Sequence, residues 1–168
     1  MFKILLLIIL PFLSIFLQST LFAFYNINNV VPDLVLLFVI LYALFYGKNK
    51  GAVYGFFCGL LEDLYVGRFI GINALAKALT AYLIGMLQQV FFKESALVGV
   101  ISVLLGTLIN NIIMALVTII ISGHLAISSF TLTEWVLQFA YNFILSIPLY
   151  IMYNRSYKKG ALQPLEEQ

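Results

Sequence analysis

Charge is scarce in this chain. Of its 168 residues only 10% are Asp, Glu, Lys or Arg, while 63% are hydrophobic. A soluble domain carries about 25% charged residues, so a water-facing surface cannot be assembled from this composition. Cysteine is limited to Cys58, which excludes a disulfide framework and a cysteine metal site and makes it a small packing residue. Histidine is limited to His124; with no second histidine or cysteine near it, a zinc set is excluded, and it reads as a loop residue. No serine has a base and an orienting partner nearby in sequence, as a nucleophile requires. Gly55-x-x-x-Gly59 lacks the lysine and hydroxyl of a phosphate-binding loop. Nothing in the chain calls for an enzyme, a cofactor or a metal. The formal net charge of +2 reflects basic loops, a feature of membrane topology and not of nucleic-acid binding.

What the chain does have is long apolar runs. Runs of about 18 or more residues read as membrane spans, and six of them use up the length. Span one covers about Phe2 to Phe24. It is longer than the core of a secretory signal, with no clear small-x-small cleavage site after it, so it reads as a retained span. Asn26, Asn28 and Asn29 form a polar turn. Pro32 suits a first helical position and Asp33 complements the helix dipole, opening a short span two that ends near Tyr46. The turn Gly47-Lys48-Asn49-Lys50 leads to span three, about Gly51 to Tyr65. The turn from Gly67-Arg68 to Gly71 leads to span four, about Ile72 to Phe92. Lys93-Glu94-Ser95 is a tight turn, span five is about Ala96 to Ile121, and a loop from Ser122-Gly123-His124 through Ser129 precedes span six, about Leu132 to Tyr153. The expectation is an all-α, polytopic, six-transmembrane-helix bundle over 1–153, with a short polar tail over 154–168.

Orientation follows from the basic residues. With the N-terminus inside, cytoplasmic segments hold Lys3, Lys48, Lys50, Lys93, Arg155, Lys158 and Lys159. Arg68 is on the outside and Lys77 is within a span. Positive charge collects on the cytoplasmic side, so both termini are expected in the cytoplasm. Trp135 then lies at the outer boundary of span six.

Residues four apart share a helix face, and several such rows are polar or small. Span three carries Gly51, Gly55, Gly59 and Asp63; span four carries Asn73, Lys77, Ala81, Gly85 and Gln89. Span five carries Ser102, Gly106 and Asn110, with Thr107 and Asn111 beside them. Span six carries Glu134, Gln138, Asn142 and Ser146, and span one adds Ser14 and Gln18. Facing lipid would be costly, so these rows face protein. They serve as helix glue, as a ligand cavity, or as a docking face for partner helices. Gly51, Gly55 and Gly59 are the foremost packing surface, for a partner's helix or for one of the chain's own. Asp63 and Lys77 stand symmetrically about a turn centred near Ile70, so an ion pair between them is expected. Glu62 either shares Lys77 or faces outer-side water.

Certain residues resemble a known family. Pro32-Asp33-Leu34 opening span two, Gly55-Phe56 and Gly59-Leu60 leading to Asp63, then Gly71, Ala74-Leu75, Tyr82-Leu83 and Gly85 are similar to the rod shape-determining protein MreD family. The resemblance does not extend to Glu62 and Lys77. It implies a component of the bacterial plasma membrane that acts in the cell-elongation machinery as a non-catalytic scaffold. The implied partners are an MreC-like bitopic protein and, alongside it, RodA, a class B penicillin-binding protein and MreB filaments, directing lateral peptidoglycan synthesis. The fold implied is similar to the substrate-binding subunits of energy-coupling-factor vitamin transporters, and a vitamin-binding subunit is the alternative function. Those subunits resemble one another in an Ala-x-x-x-Ala patch on the first span. Here Ala23 is the lone alanine of span one, which favours the scaffold.

Overall fold

The computed structural model of the chain describes residues 2–24, 30–67, 69–87, 96–122 and 132–158. These form the helices α1 (Phe2–Ser19), α2 (Leu21–Phe24), α3 (Leu34–Tyr46), α4 (Lys48–Val66), α5 (Ile72–Leu87), α6 (Ala96–Ser122) and α7 (Leu132–Lys158). The all-helical expectation holds, and helices stand where the apolar runs do. The turns at 26–29 and 93–95, the loop after Ser122, Gln89 and His124 lie outside the described residues.

The sequence LVLLFVILYALFY of α3 is apolar on every side, and such a helix is stable only when covered all round. Accordingly α3 is the axis of the bundle, touching α1, α4, α5, α6 and α7. Leu36, Leu37, Val39, Ile40, Leu41, Ala43 and Leu44 are all inaccessible. Thirteen residues rise about 20 Å, short of the ~30 Å hydrocarbon core. A helix sheathed by its neighbours does not itself need to reach across.

The junction between α3 and α4 differs from expectation. Only Gly47 separates them, and α4 begins at Lys48, so Lys48, Asn49 and Lys50 form the first turn of a helix and not a loop. Gly47 takes φ 87°, which glycine adopts without a Cβ clash, so one residue is enough to turn the chain. Likewise Pro32 precedes the helix, and Asp33 is its N-cap, its side chain accepting from Leu36 N.

The tightest part of the bundle is the antiparallel pair α4 and α5. A Cβ on Gly51 would lie 3.4 Å from the Ala81 carbonyl oxygen and 2.6 Å from the Ala43 Cβ. On Gly55 it would lie 2.7 Å from the Lys77 carbonyl oxygen, and on Gly59 2.6 Å from the Ala74 Cα. On Gly85 it would sit 2.5 Å from the Lys48 backbone. The glycine row of α4 therefore meshes with the Asn73, Lys77, Ala81, Gly85 row of α5. Without a hydrophobic force between helices in lipid, such close van der Waals contact is what holds them.

Pro11 lies inside α1, and its ring nitrogen has no hydrogen to give the Leu7 carbonyl one turn back. The Tyr54 hydroxyl of α4 donates to that oxygen instead, at 3.0 Å. A helix break thus becomes a link between α1 and α4. Cys58 is buried near Val35, Val39, Ala43 and Ala81, as a packing residue.

The two ends of the bundle differ. Around the C-terminal end of α3, Phe45 packs on Tyr153 and Tyr157, and Tyr46 on Tyr157, with ring centroids 5.1, 4.9 and 6.1 Å apart. The N-terminal end of α3 gathers the buried charges and amides. α6 and α7 are each long and apolar enough to cross a membrane, while α3 and α5 are shorter apolar helices. α7 continues to Lys158, so the first residues of the expected tail form its last turn.

Candidate functional site

The centre of the polar end is Lys77, in the second turn of α5 and 1% exposed. A cation this deep cannot reach water along its own stem, so its charge has to be met within the protein. Two carboxylates meet it. Its ammonium lies 3.0 Å from Asp33 Oδ2 and 2.7 Å from Glu62 Oε2. Asp33 has a double role: Oδ1 accepts from Leu36 N at 2.8 Å while Oδ2 takes the lysine. One aspartate therefore caps α3 and fixes α5 against it.

The structure overturns the expected ion pair between Asp63 and Lys77. The glycine contacts set the register: Gly55 lies level with Lys77, and Asp63 is about two turns (~12 Å) nearer the hairpin end. The pairing is centred near Val66 and not near Ile70, because Gly55 opposes Lys77 and Gly59 opposes Asn73 and Ala74, while Gly67 closes α4 in a left-handed conformation at φ 70°. Side chains lean toward the N-terminus of their own helix. In an antiparallel pair, Glu62 and Lys77 consequently lean toward each other and close the remaining gap. Asp63, one residue further round α4, faces the start of α5. Its Oδ2 accepts from Gly71 N at 2.9 Å and Ala74 N at 3.0 Å, and its Oδ1 from Asn73 N at 3.1 Å and Asn73 Nδ2 at 2.9 Å. The first N–H groups of a helix have no partner within it, and a carboxylate there also complements the dipole. Asp63 is a cap and not a counter-ion. Of the two alternatives for Glu62, sharing Lys77 is the one found.

An amide layer continues the network into α6 and α7. Asn142, fully buried, accepts from Asp33 N at 3.2 Å through Oδ1 and donates from Nδ2 to Thr107 Oγ1 at 3.0 Å. Thr107 donates to the Val103 carbonyl at 2.9 Å. Asn111 donates to Gln138 Oε1 at 2.9 Å. Five helices, α3 to α7, are thereby joined through side chains at one level. Ser102 and Ser146 are buried as their rows predict. Asn110 is 4% exposed, and its Oδ1 has no hydrogen-bond partner among the described residues; the same is true of Thr80 Oγ1.

The network unites Asp33, Lys77 and Asn142 with Glu62 and Thr107, while Gln138 pairs with Asn111 as a separate link between α6 and α7. Asp63 and Asn73 form a separate cap at the hairpin end. Gly51, Gly55, Gly59 and Gly85 are closed off inside the α4–α5 contact, against helices of the chain itself. Sequence reasoning missed Thr80, which shares a face with Lys77 three residues earlier, and the Tyr54 link, which Pro11 foreshadows. Chemically the arrangement is a closed electrostatic clasp: an ammonium held between two carboxylates, all three anchored on different helices. Among the described residues no group of His, Cys, Asp and Glu is placed to hold a metal ion.

The family description that matches this chain is "rod shape-determining protein MreD", over residues 1–159. No curated protein and no solved structure matches it. With the match covering nearly the whole chain, the protein belongs to the MreD family, and it is a helical membrane protein involved in rod shape determination.

Proposed function

We propose that this chain is a non-catalytic scaffold of the bacterial cell-elongation machinery, resident in the plasma membrane, where it binds an MreC-like bitopic protein and supports lateral peptidoglycan synthesis near RodA, a class B penicillin-binding protein and MreB filaments. The family match over residues 1–159 carries this reading. In it, the chain crosses the bilayer six times with both termini in the cytoplasm, as its basic residues favour.

The interior supports a structural role. Lys77 is matched by Asp33 and Glu62, and the α4 glycines are filled by α3 and α5. Partner helices are then left with the outward faces. On α1 these include Leu5, Ile8, Ile9, Phe12, Leu13 and Phe16, all about half exposed. A partner here would be recognised by shape against apolar ridges and not by charge.

The test is recovery of partners. Tagged protein extracted from its own cells in mild detergent is expected to bring down an MreC-like bitopic protein, and depletion of the chain is expected to round the cells. Tight binding of a vitamin-sized ligand by the purified protein, with no membrane protein recovered, would falsify the scaffold and favour a transporter subunit.

A further inference from the structure

Thr80 on α5 and Asn110 on α6 are buried polar residues that the clasp does not use. Thr80 is inaccessible, Asn110 is 4% exposed, and neither Thr80 Oγ1 nor Asn110 Oδ1 has a hydrogen-bond partner among the described residues. A hydroxyl inside a helix commonly turns back to the carbonyl four residues earlier, as Ser14 does to Leu10 and Thr107 to Val103. Thr80 makes no such bond to Ala76. Leaving a buried donor or acceptor unmatched is costly, and here two are left at one seam.

The packing register sets these two residues opposite each other. Asn142 and Lys77 both meet Asp33, at the start of α3. Phe45, near its end, packs on Tyr153, and Ala43 meets Gly51, which faces Ala81. The helices α3, α5 and α7 therefore run the same way. Against α7, α6 pairs Thr107 with Asn142 and Asn111 with Gln138, so it runs antiparallel to α7 and hence to α5. A Cβ on Gly106 would meet the Ile40 side chain and lie 3.4 Å from Ile84 Cγ1. One turn from that contact toward the polar end, on the same two faces, stand Asn110 on α6 and Thr80 on α5. Thr80 is about two turns from either end of its helix, and Asn110 roughly three or more from either end of its own.

We infer that a water molecule is bound between Thr80 and Asn110 and links α5 to α6. The threonine hydroxyl donates to the water oxygen, and the water donates to Asn110 Oδ1, so one guest satisfies both side chains. Buried waters occupy such positions, with two to four polar partners each, and a bridged bond is nearly as favourable in enthalpy as a direct one. The surroundings select a neutral guest. Lys77, three residues before Thr80 on α5, places an ammonium nearby that opposes a metal cation, and neither Thr80 nor Asn110 carries a charge that could hold an anion. The site stands or falls independently of the scaffold reading.

Infrared difference spectra of the purified full-length protein in lipid nanodiscs, wild type minus Thr80→Val, test the site in ordinary water and in water enriched in the heavy oxygen isotope. A bound-water O–H stretch is expected in the wild type and in Thr80→Ser, which keeps the hydroxyl, and is expected to be lost in Thr80→Val and in Asn110→Leu. In heavy-oxygen water that band should move to lower frequency, which the threonine's own O–H stretch does not do. The absence of any isotope-sensitive band that depends on Thr80 and Asn110 overturns the assignment, since the two side chains then bond each other directly or Thr80 turns back to Ala76. Thermal midpoints give a second reading. Thr80→Val and Asn110→Leu should each lower the midpoint by about 2–4 °C, and the double variant by no more than the larger single loss, because it leaves neither group stranded. Losses that simply add also overturn the shared water.

Discussion

Lys77 shows what a single buried charge asks of its surroundings. Its ammonium is held by Asp33 on α3 and Glu62 on α4, so its removal strands two carboxylates that face each other across little space. Breaking a buried pair by deleting one partner costs about 3–5 kcal/mol. Lys77→Met should lower the thermal midpoint in detergent and the yield of folded protein by an amount of that order. Adding Asp33→Asn removes one stranded charge, so the double variant is expected to lose less than the two single losses combined. Asp63→Asn, which touches the cap of α5 and not the lysine, should combine with Lys77→Met additively. Coupling of Lys77 to Asp63 and not to Asp33 in that double-mutant cycle would mean the register described here is wrong.

At the level of elements, the hairpin of α4 and α5 depends on atoms that are absent. A methyl group on Gly59 would run into the Asn73 carbonyl and the Ala74 Cα, and one on Gly85 into the Lys48 backbone. Backbone cannot step aside without moving a whole helix. A methyl group on Gly106 would meet the end of the Ile40 side chain, which can change rotamer at lower cost. Gly59→Ala and Gly85→Ala are therefore expected to cut the monodisperse fraction in size-exclusion chromatography well below that of Gly106→Ala. The same logic applies to a variant carrying both Gly55→Leu and Gly59→Leu: the displaced helix is the chain's own α5, so the protein should be degraded and not merely lose a partner. If that variant accumulates normally, the glycine row is not buried against α5.

For the whole molecule, the contrast between its ends gives topology something to test. Ile70, 69% exposed, stands at the turn joining α4 to α5, and Ser156 stands in the last turn of α7 at the opposite, aromatic end. In a Cys58→Ala background, Ile70→Cys is expected to react with an impermeant thiol reagent applied to intact cells. Ser156→Cys should react only after the membrane is opened. The reverse pattern inverts the orientation, and reaction of both in intact cells removes the six-span arrangement.

The sequence by itself determined the class of the protein. Sparse charge and long apolar runs allow only a helical membrane protein, because in lipid each backbone polar group must be satisfied within its own segment. It also made legible which residues turn inward, since a period of four lines up Gly51, Gly55 and Gly59, and places Asn142 and Ser146 on one face of α7. Which inward residue meets which was decided only by the tertiary structure. A symmetric count about Ile70 matched Asp63 to Lys77, but the close contacts set Gly55 against Lys77 and Gly59 against Ala74, a register centred near Val66 that no count along the chain supplies. Asp33 lies 44 positions from Lys77 along the chain, and no periodicity within one helix can reach across that interval. The packing of α3 through the middle of the bundle brings the two together, so that Asp33 and Glu62 both meet the ammonium.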